Sequence, residues 1–299
     1  MVGRAPDPPF RSRPERTSLT PQGRSGPRSA WVRGASGGRS SPVGAYAATL
    51  GHVPDLVLLR HGQSTWNAEG LFTGWVDVDL TPKGEEEARR AGRLLAAEQE
   101  RGLDLEVLHT SVLPRAVRTA NLALDELGRT WIPVRRHWRL TERHYGALQG
   151  KNKKDTTAEF GIDQVKVWRR SYTVRPPAIA PEGHPVHERR YRRVPAAALP
   201  ASECLADVVT RMVPYWEDVI VPDLFALGGV LVVAHGNSLR ALVKYLKGLS
   251  DDEIVSLEIP TGVPWVFHLG SDLSVIGDRL LGDPDAIKTA MEETAHQAG

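Results

Sequence analysis

The run Asp55-Leu56-Val57-Leu58-Leu59, followed at once by Arg60-His61-Gly62, constrains this chain more than any other stretch. Consecutive aliphatic residues without polar alternation fit a strand buried on both faces, as in a parallel sheet covered by helices on each side. The run then breaks into an arginine, a histidine and a glycine. In open α/β sheets, ligands bind beyond the carboxyl ends of the strands, so charged residues there mark a place for chemistry. Residues Gly229-Val230-Leu231-Val232-Val233-Ala234 repeat the design and run into His235-Gly236-Asn237-Ser238. A single Arg-His-Gly is compatible with a strand surfacing into a polar loop. Two strand-His-Gly ends in one chain point to a site.

The segments between these strands alternate in kind. Trp66 to Leu80 lacks periodicity and reads as a loop over the site. Thr81-Pro82 opens a helix, since threonine caps and proline suits the first helical position. Leu105 to Thr110 reads as a second strand, leading through Ser111 into a helix that carries Arg115 and Arg118. Trp131 to Val134 fits a short third strand, and Leu140 to Gly150 a dense polar loop. Lys151 to Ala201 forms a long insertion with two short helical patterns; loops of this length are usually lids or flexible segments. Leu205 to Leu227 has helical period, although Pro214 and Pro222 should kink or divide it. An amphipathic helix from Ser238, a last strand at Pro264 to Leu269 and a terminal helix from Asp283 to Gln297 complete the reading. The expected fold is a three-layer α/β/α sandwich with a mainly parallel sheet.

Composition narrows the possibilities. Of 299 residues, 41% are hydrophobic and 25% charged, ordinary values for a globular protein able to bury a core. Cys204 is the single cysteine, so intramolecular disulfides are impossible and a cysteine-built metal site is disfavoured. No apolar run approaches the roughly 20 residues that span a bilayer. Residues 1–51 differ from the rest: arginines scattered among Pro, Gly and Ser read as a disordered basic extension. A solvated tail or a misplaced start codon is the preferred account; a transit-type sequence and a weak nucleic-acid tail are the alternatives. Residues 52–299 then form the catalytic domain, with 151–201 as a lid-like insertion and about 272–299 as a tail.

An imidazole at a strand end can act as a covalent nucleophile if it is neutral and held by a second group. Neighbouring guanidiniums disfavour its charged form. They also bind phosphate oxygens in a fork, so Arg60 and Arg115 could clamp a phosphoryl group. His235 precedes a helix whose free amides suit an anion. Glu142 is the plausible general acid and base of the polar loops. Two histidines, two arginines and a helix N-terminus describe a phosphoryl site that needs no metal.

These residues lie in a longer pattern. Leu-Leu-Arg-His-Gly-Gln-Ser-Thr-Trp-Asn (58–67), Phe-Thr-Gly-Trp (72–75), Leu-Thr-Pro-Lys-Gly (80–84) and Thr-Ser-Val-Leu-Pro-Arg-Ala-Val-Arg-Thr-Ala (110–120) follow in order. Then come Glu-Arg-His-Tyr-Gly-Ala-Leu-Gln-Gly (142–150), Trp-Arg-Arg-Ser-Tyr (168–172) and Ala-His-Gly-Asn-Ser-Leu-Arg (234–240). The combination resembles the 2,3-bisphosphoglycerate-dependent phosphoglycerate mutases of the histidine phosphatase superfamily, from about Asp55 to the last strand and more loosely beyond. The resemblance implies a phosphoglycerate mutase-like fold and interconversion of 3- and 2-phosphoglycerate in glycolysis and gluconeogenesis. It makes His61 the phosphorylated nucleophile and Glu142 the proton donor and acceptor, with Arg60, Asn67, Arg115 and His235 holding the phosphoryl group. Ser64, Thr73, Gly74, Arg143, His144, Tyr145, Lys153, Arg169, Arg170, Gly236 and Asn237 match the substrate pocket. It further implies 2,3-bisphosphoglycerate as primer, no metal, small phosphoglycerates as partners, a cytoplasmic location and a homodimer or homotetramer.

The main alternative is a histidine phosphatase that hydrolyses a small phosphoester through the same intermediate. Lys153 and the Arg169-Arg170 pair weigh against it, because a second cationic pole serves a substrate with an anion at both ends. A nucleic-acid or scaffold role for the basic N-terminus, with an inactive α/β domain, is opposed by the intact set His61, Arg60, Arg115, Glu142 and His235. No membrane or nucleic-acid partner is expected.

Overall fold

A sheet in the order β3-β2-β4-β1-β5-β6 divides the molecule. It is seen in a computed structural model that describes residues 54–298; the expected N-terminal extension, residues 1–51, lies outside the described residues. The strands are β1 (Asp55–Arg60), β2 (Val107–Thr110), β3 (Val134–Arg136), β4 (Gly229–Ala234), β5 (Pro264–Leu269) and β6 (Val275–Leu280). All run the same way except β5, which is antiparallel to both β1 and β6. The helices longer than a single turn are α1 (Pro82–Gln99), α2 (Pro114–Leu127), α3 (Lys153–Phe160), α4 (Ile162–Arg170), α5 (Leu205–Tyr215), α6 (Val221–Leu227), α7 (Gly236–Lys247) and α8 (Pro284–Ala298).

The aliphatic run of β1 is central, with β4 on one side and β5 on the other. Successive strand side chains face opposite ways, so β1 feeds two cores. Leu56 and Leu58 join Val230, Val232 and residues of α5, α6 and α7. Val57 and Leu59 join Leu231, Val233, and residues of α1 and α2. The result is the expected three-layer sandwich. Burying each such side chain contributes roughly 1.5–3 kcal/mol, so the sheet is fixed from both sides.

Register sets the position of the site. Arg60 pairs with Ala234, and the His61 amide donates to the Ala234 carbonyl at 3.0 Å. His61 and His235 therefore leave the sheet side by side. The loop after β1 then passes against the first turn of α1. A Cβ on Gly62 would lie 2.0 Å from the Gly84 carbonyl oxygen, and one on Gly84 would lie 2.0 Å from that of Gln63. Thr81 caps α1, its side chain accepting from the Gly84 amide at 3.1 Å, with Pro82 in the first turn as expected.

Several expectations are corrected. The third strand is Val134–Arg136, not Trp131 to Val134, because its pairing with β2 begins at Leu108 and Val134. Pro264–Leu269 is followed by a further strand, β6, whose alternation is half-exposed and lacks an aliphatic run. The Trp66 to Leu80 loop opens with a helical turn at Thr65–Ala68, capped by Ser64. The two prolines do not break the helix from Leu205. A wide π turn at Trp216–Ile220 joins α5 to α6, and the Val221 amide reaches back to Trp216 O; such a turn absorbs an irregular backbone without ending the helix. Beyond it, Asp223 accepts a forked pair of bonds from Arg135 of β3 at 2.6 and 2.9 Å and stands 3.0 Å from His109 of β2.

The contact of the Gly62-Gln63 loop with Gly84 in the first turn of α1 is backbone against backbone, with no flexible side chain to give way. We expect Gly84→Ala to lower unfolding stability by about 1–3 kcal/mol, read as a shift in the urea midpoint. An unchanged midpoint would show that the loop has room to move.

Candidate active site

His61 is 3% exposed, and its ring is held at both nitrogens. Nδ1 lies 2.7 Å from the Gly62 carbonyl oxygen, which only accepts, so Nδ1 carries the proton. Nε2 keeps its lone pair and accepts from Arg115 Nε at 3.3 Å. Burial, then Arg115 and Arg60, hold the imidazole well below its ordinary pKa. The sequence asks for a neutral, fixed imidazole, and this is one.

Arg115 owes its place to α2. It sits one residue into the helix that starts at Pro114, is 1% exposed, and donates to the carbonyls of Gly74 at 2.7 Å and Val76 at 2.9 Å. Burial lowers its pKa to about 10, and the guanidinium stays charged at neutral pH. Arg60 donates from Nη1 to Ile259 O at 2.9 Å. Its Nε is buried and has no hydrogen-bond partner among the described residues. His235 is fully buried, with its ring centre 4.9 Å from that of His61. Its Nε2 lies 2.7 Å from Ser111 Oγ, at the end of β2, which fixes the ring. Burial, then Arg115 and His61, keep it neutral.

Glu142 is brought in by the polar loop. Its Oε1 accepts from the Arg143 amide at 2.6 Å and the Asn237 amide at 3.2 Å, the latter in the first turn of α7. A Cβ on Gly236 would lie 3.5 Å from Arg60 Nε and 3.7 Å from Glu142 Oε2, so this glycine lies between the acid and the guanidinium. The Glu142 carbonyl accepts from Trp75 Nε1 at 2.5 Å and Arg211 Nη2 at 3.0 Å. Arg211 is itself paired with buried Glu203 at 2.6 Å, and Glu203 accepts from the His144 amide at 2.8 Å. This ion pair rivets the loop to α5.

A second group of cations lines the same pocket. Lys153 opens α3, and Arg169 and Arg170 end α4. Burial, then Arg169 and Arg60, bring Lys153 down to about 7. The C-terminal carbonyls of α4 are taken by Arg143, which donates to Trp168 O at 3.0 Å and Arg169 O at 2.9 Å.

Of the residues the sequence nominated, Arg60, His61, Asn67, Thr73, Gly74, Arg115, Glu142, Tyr145, Lys153, Arg169, Arg170, Gly236 and Asn237 line the cavity. His235 is not among the lining residues but stands beside one, its ring edge-to-face with that of His61. Ser64, Arg143 and His144 fall outside the lining. Ser64 is buried and caps the turn that carries Asn67. Arg143 holds the end of α4. His144 packs its ring 5.5 Å from Trp75 and accepts from the Gly146 amide at 3.0 Å. All three are supports of the pocket. Sequence reasoning did not nominate the apolar Leu71, Phe72 and Ile259, nor Arg240, Glu258 and Thr294, which also line it. Arg240 was findable, since a residue four beyond Gly236 shares its helix face; nothing marks Glu258 or Thr294. Among the described residues no group of three or more His, Cys, Asp or Glu is arranged to hold a metal ion, and no helix is long and apolar enough to cross a membrane.

Comparison with known proteins fits this geometry. The profile of the histidine phosphatase superfamily (branch 1) matches residues 56–195 and 178–269. The 2,3-bisphosphoglycerate-dependent phosphoglycerate mutase of Thermobifida fusca is 59% identical over 246 residues, 81% of this chain and 98% of that one. The protein of the same name from Nitratidesulfovibrio vulgaris is 57% identical over 231 residues, 77% of this chain and 91% of its own. Among solved structures, a mycobacterial glucosyl-3-phosphoglycerate phosphatase complexed with VO3 is 27% identical with a TM-score of 0.56, covering 76% of this chain and 96% of that one.

Two outcomes follow from the site's supports. Arg211→Ala should cost about 3–5 kcal/mol, because Glu203 is left buried and unpaired; calorimetric unfolding measures it, and a loss under about 1 kcal/mol would mean the loop is held elsewhere. The second concerns pH. His61, His235 and His144 (the last near 3) have folded pKa values below the ordinary imidazole value. The unfolded chain, titrating near ~6.5, therefore binds more protons as pH falls through that value. Stability is complete above about pH 6.5 and declines below it, at up to about 1.4 kcal/mol per pH unit per histidine. Urea midpoints should be level between pH ~8 and ~7 and fall toward pH ~5. A midpoint that rises on acidification contradicts the neutral histidines.

Proposed function

The chain belongs to the histidine phosphatase superfamily, and we propose that it interconverts 3-phosphoglycerate and 2-phosphoglycerate through a phosphohistidine at His61. It is an isomerase, an intramolecular phosphotransferase, working in glycolysis and gluconeogenesis. One observation carries the reading: a single pocket joins a nucleophilic imidazole between buried guanidiniums to a second cationic pole of Lys153, Arg169 and Arg170. Phosphoglycerate is anionic at both ends and must be held in two orientations, which calls for both poles. A phosphatase acting through the same intermediate needs only the first, and the relatives at 59% and 57% identity favour the mutase.

The primer is 2,3-bisphosphoglycerate, and the residues present fit it: an unprotonated His61 Nε2 whose lone pair accepts from Arg115, cations at both ends, and an Arg60 Nε with no hydrogen-bond partner among the described residues. When bound it supplies the phosphoryl group that loads His61. Everything else is work for the chain. His61 Nε2 carries the phosphoryl group, gives it to the free hydroxyl of 3-phosphoglycerate as the N–P bond breaks, and takes back the other phosphoryl of the resulting bisphosphoglycerate once that has turned end for end, leaving 2-phosphoglycerate and a reloaded His61. Arg60, Asn67, Arg115 and His235 hold the oxygens of the moving group, and the first-turn amides of α7 add to that field. Glu142 takes the proton from the accepting hydroxyl and returns it on the reverse step. Catalysis is then mostly positioning and charge stabilisation, as phosphoryl transfer requires. Thr73, Gly74, Tyr145, Gly236 and Asn237 shape the pocket, while Lys153, Arg169 and Arg170 hold the end that is not reacting.

Water must be kept from the phosphohistidine, since hydrolysis there is phosphatase chemistry. Residues 151–201 and about 272–299 serve as covers in this reading; buried Thr294 of α8 in the pocket wall supports it. We further propose that residues 52–299 are one catalytic domain, that the enzyme is a cytoplasmic homodimer or homotetramer, and that no metal takes part.

The test incubates the protein with 3-phosphoglycerate, with and without 2,3-bisphosphoglycerate, and follows 2-phosphoglycerate and free phosphate. We expect primer-dependent 2-phosphoglycerate, undiminished by a strong chelator, and none from His61→Ala. Mostly free phosphate would favour the phosphatase, and a label located by mass spectrometry anywhere but His61 would refute the intermediate.

A further inference from the structure

The pocket is lined by Arg60, Arg115, Lys153, Arg169, Arg170 and Arg240, and by two carboxylates, Glu142 and Glu258. Glu142 has a part in proton transfer. Glu258 has none, yet it stands where the substrate's far end is to be held. Its Oε1 accepts from Arg170 Nη2, and each side chain is 20% exposed. The next residue, Ile259, offers its carbonyl to Arg60 at 2.9 Å. One dipeptide thus touches an arginine of each pole. The Glu258 carboxylate also favours the charged forms of Arg60, Arg169 and Arg240.

We propose that Glu258 is a resident anion on the second pole and a specificity-determining residue that sets how tightly the non-reacting end of the substrate is held. The inference rests on the mutase reading above and deepens it. An incoming carboxylate or phosphate meets an Arg170 already neutralised, so it must displace Glu258 or share its partner. Binding at this end is therefore an exchange of one anion for another. A pocket of bare cations would hold a doubly anionic ligand too firmly for it to turn end for end. An internal carboxylate that takes Arg170 back whenever the ligand lets go lowers that hold and keeps the guanidinium aimed meanwhile. A ligand with a single anionic group engages the His61 pole and gains little from Arg170.

The test is Glu258→Gln, which keeps shape and removes charge, in the full chain. By calorimetry at low ionic strength, 2,3-bisphosphoglycerate should bind about threefold tighter or more, and the gain should shrink as salt is added, because a single partly screened charge is removed. KM for 3-phosphoglycerate should fall in step, with kcat unchanged or lower. In an Arg170→Ala background the same substitution should give less than half of that gain in affinity, since the two residues act as a pair. Unchanged or weaker bisphosphoglycerate binding by Glu258→Gln would overturn the proposal, as would an undiminished gain without Arg170. Glu258→Asn provides a second charge-free variant, and thermal melts confirm that each is folded. Should the wild-type protein bind bisphosphoglycerate without isomerising 3-phosphoglycerate, the mutase reading fails, while the affinity comparison still judges Glu258.

Discussion

The amide of His61 bonded to the carbonyl of Ala234 is the contact on which the rest depends. It extends the pairing of β1 with β4 by one residue beyond Arg60 and Ala234, and so puts two imidazoles together where both strands leave the sheet. A slip of one residue would send alternate side chains to the wrong core. Leu56 and Leu58 on one face, and Val57 and Leu59 on the other, make that slip prohibitive. The chemistry beyond the carboxyl ends of these central strands thus inherits its precision from aliphatic packing well below it.

Concentrating guanidiniums in one place raises the question of what keeps them there. Carboxylates would do so at the expense of the positive field. The structure mostly uses backbone carbonyls instead: Gly74 and Val76 for Arg115, Ile259 for Arg60, Trp168 and Arg169 for Arg143, Ile254 for Arg240. A carbonyl satisfies a donor and fixes its direction without cancelling its charge. Where a full carboxylate is used, at Arg211 with Glu203, the pair lies behind the catalytic loop and not in the pocket. Arg170 with Glu258 is the departure from that pattern within the lining.

How much of this was legible in the sequence varies with the kind of signal. Buried parallel strands are visible because both faces need aliphatic residues, so β1 and β4 stand out, and with them the positions of His61 and His235. The start of α1 is visible because Thr81 and Pro82 have local meanings. β6 is not, since a strand half-open to water carries no aliphatic run. The prolines at 214 and 222 mislead because a wide turn accommodates them, and that is settled by packing of Trp216 and Ile220, not by local preference. Within the site, the family pattern reached most of the lining residues. It did not distinguish a side chain that faces the cavity from one that braces it, so Arg143 and His144 were grouped with the Tyr145 that follows them. Glu258 lies 88 residues along the chain from Arg170, and only the fold brings the two together.

The wide turn between α5 and α6 also fixes something at a distance. One extra residue in a helix advances everything after it by roughly 100°. That rotation aims Asp223 at the outer strands, where it fastens Arg135 and faces His109. Shortening the chain by a residue at Trp216–Ile220 would swing this carboxylate off its partners and leave the short outermost strand with its backbone pairing to β2 and the packing of Val134. The irregularity is thus the part that aligns the clasp of the β3 border, and the regular helix on either side only carries it.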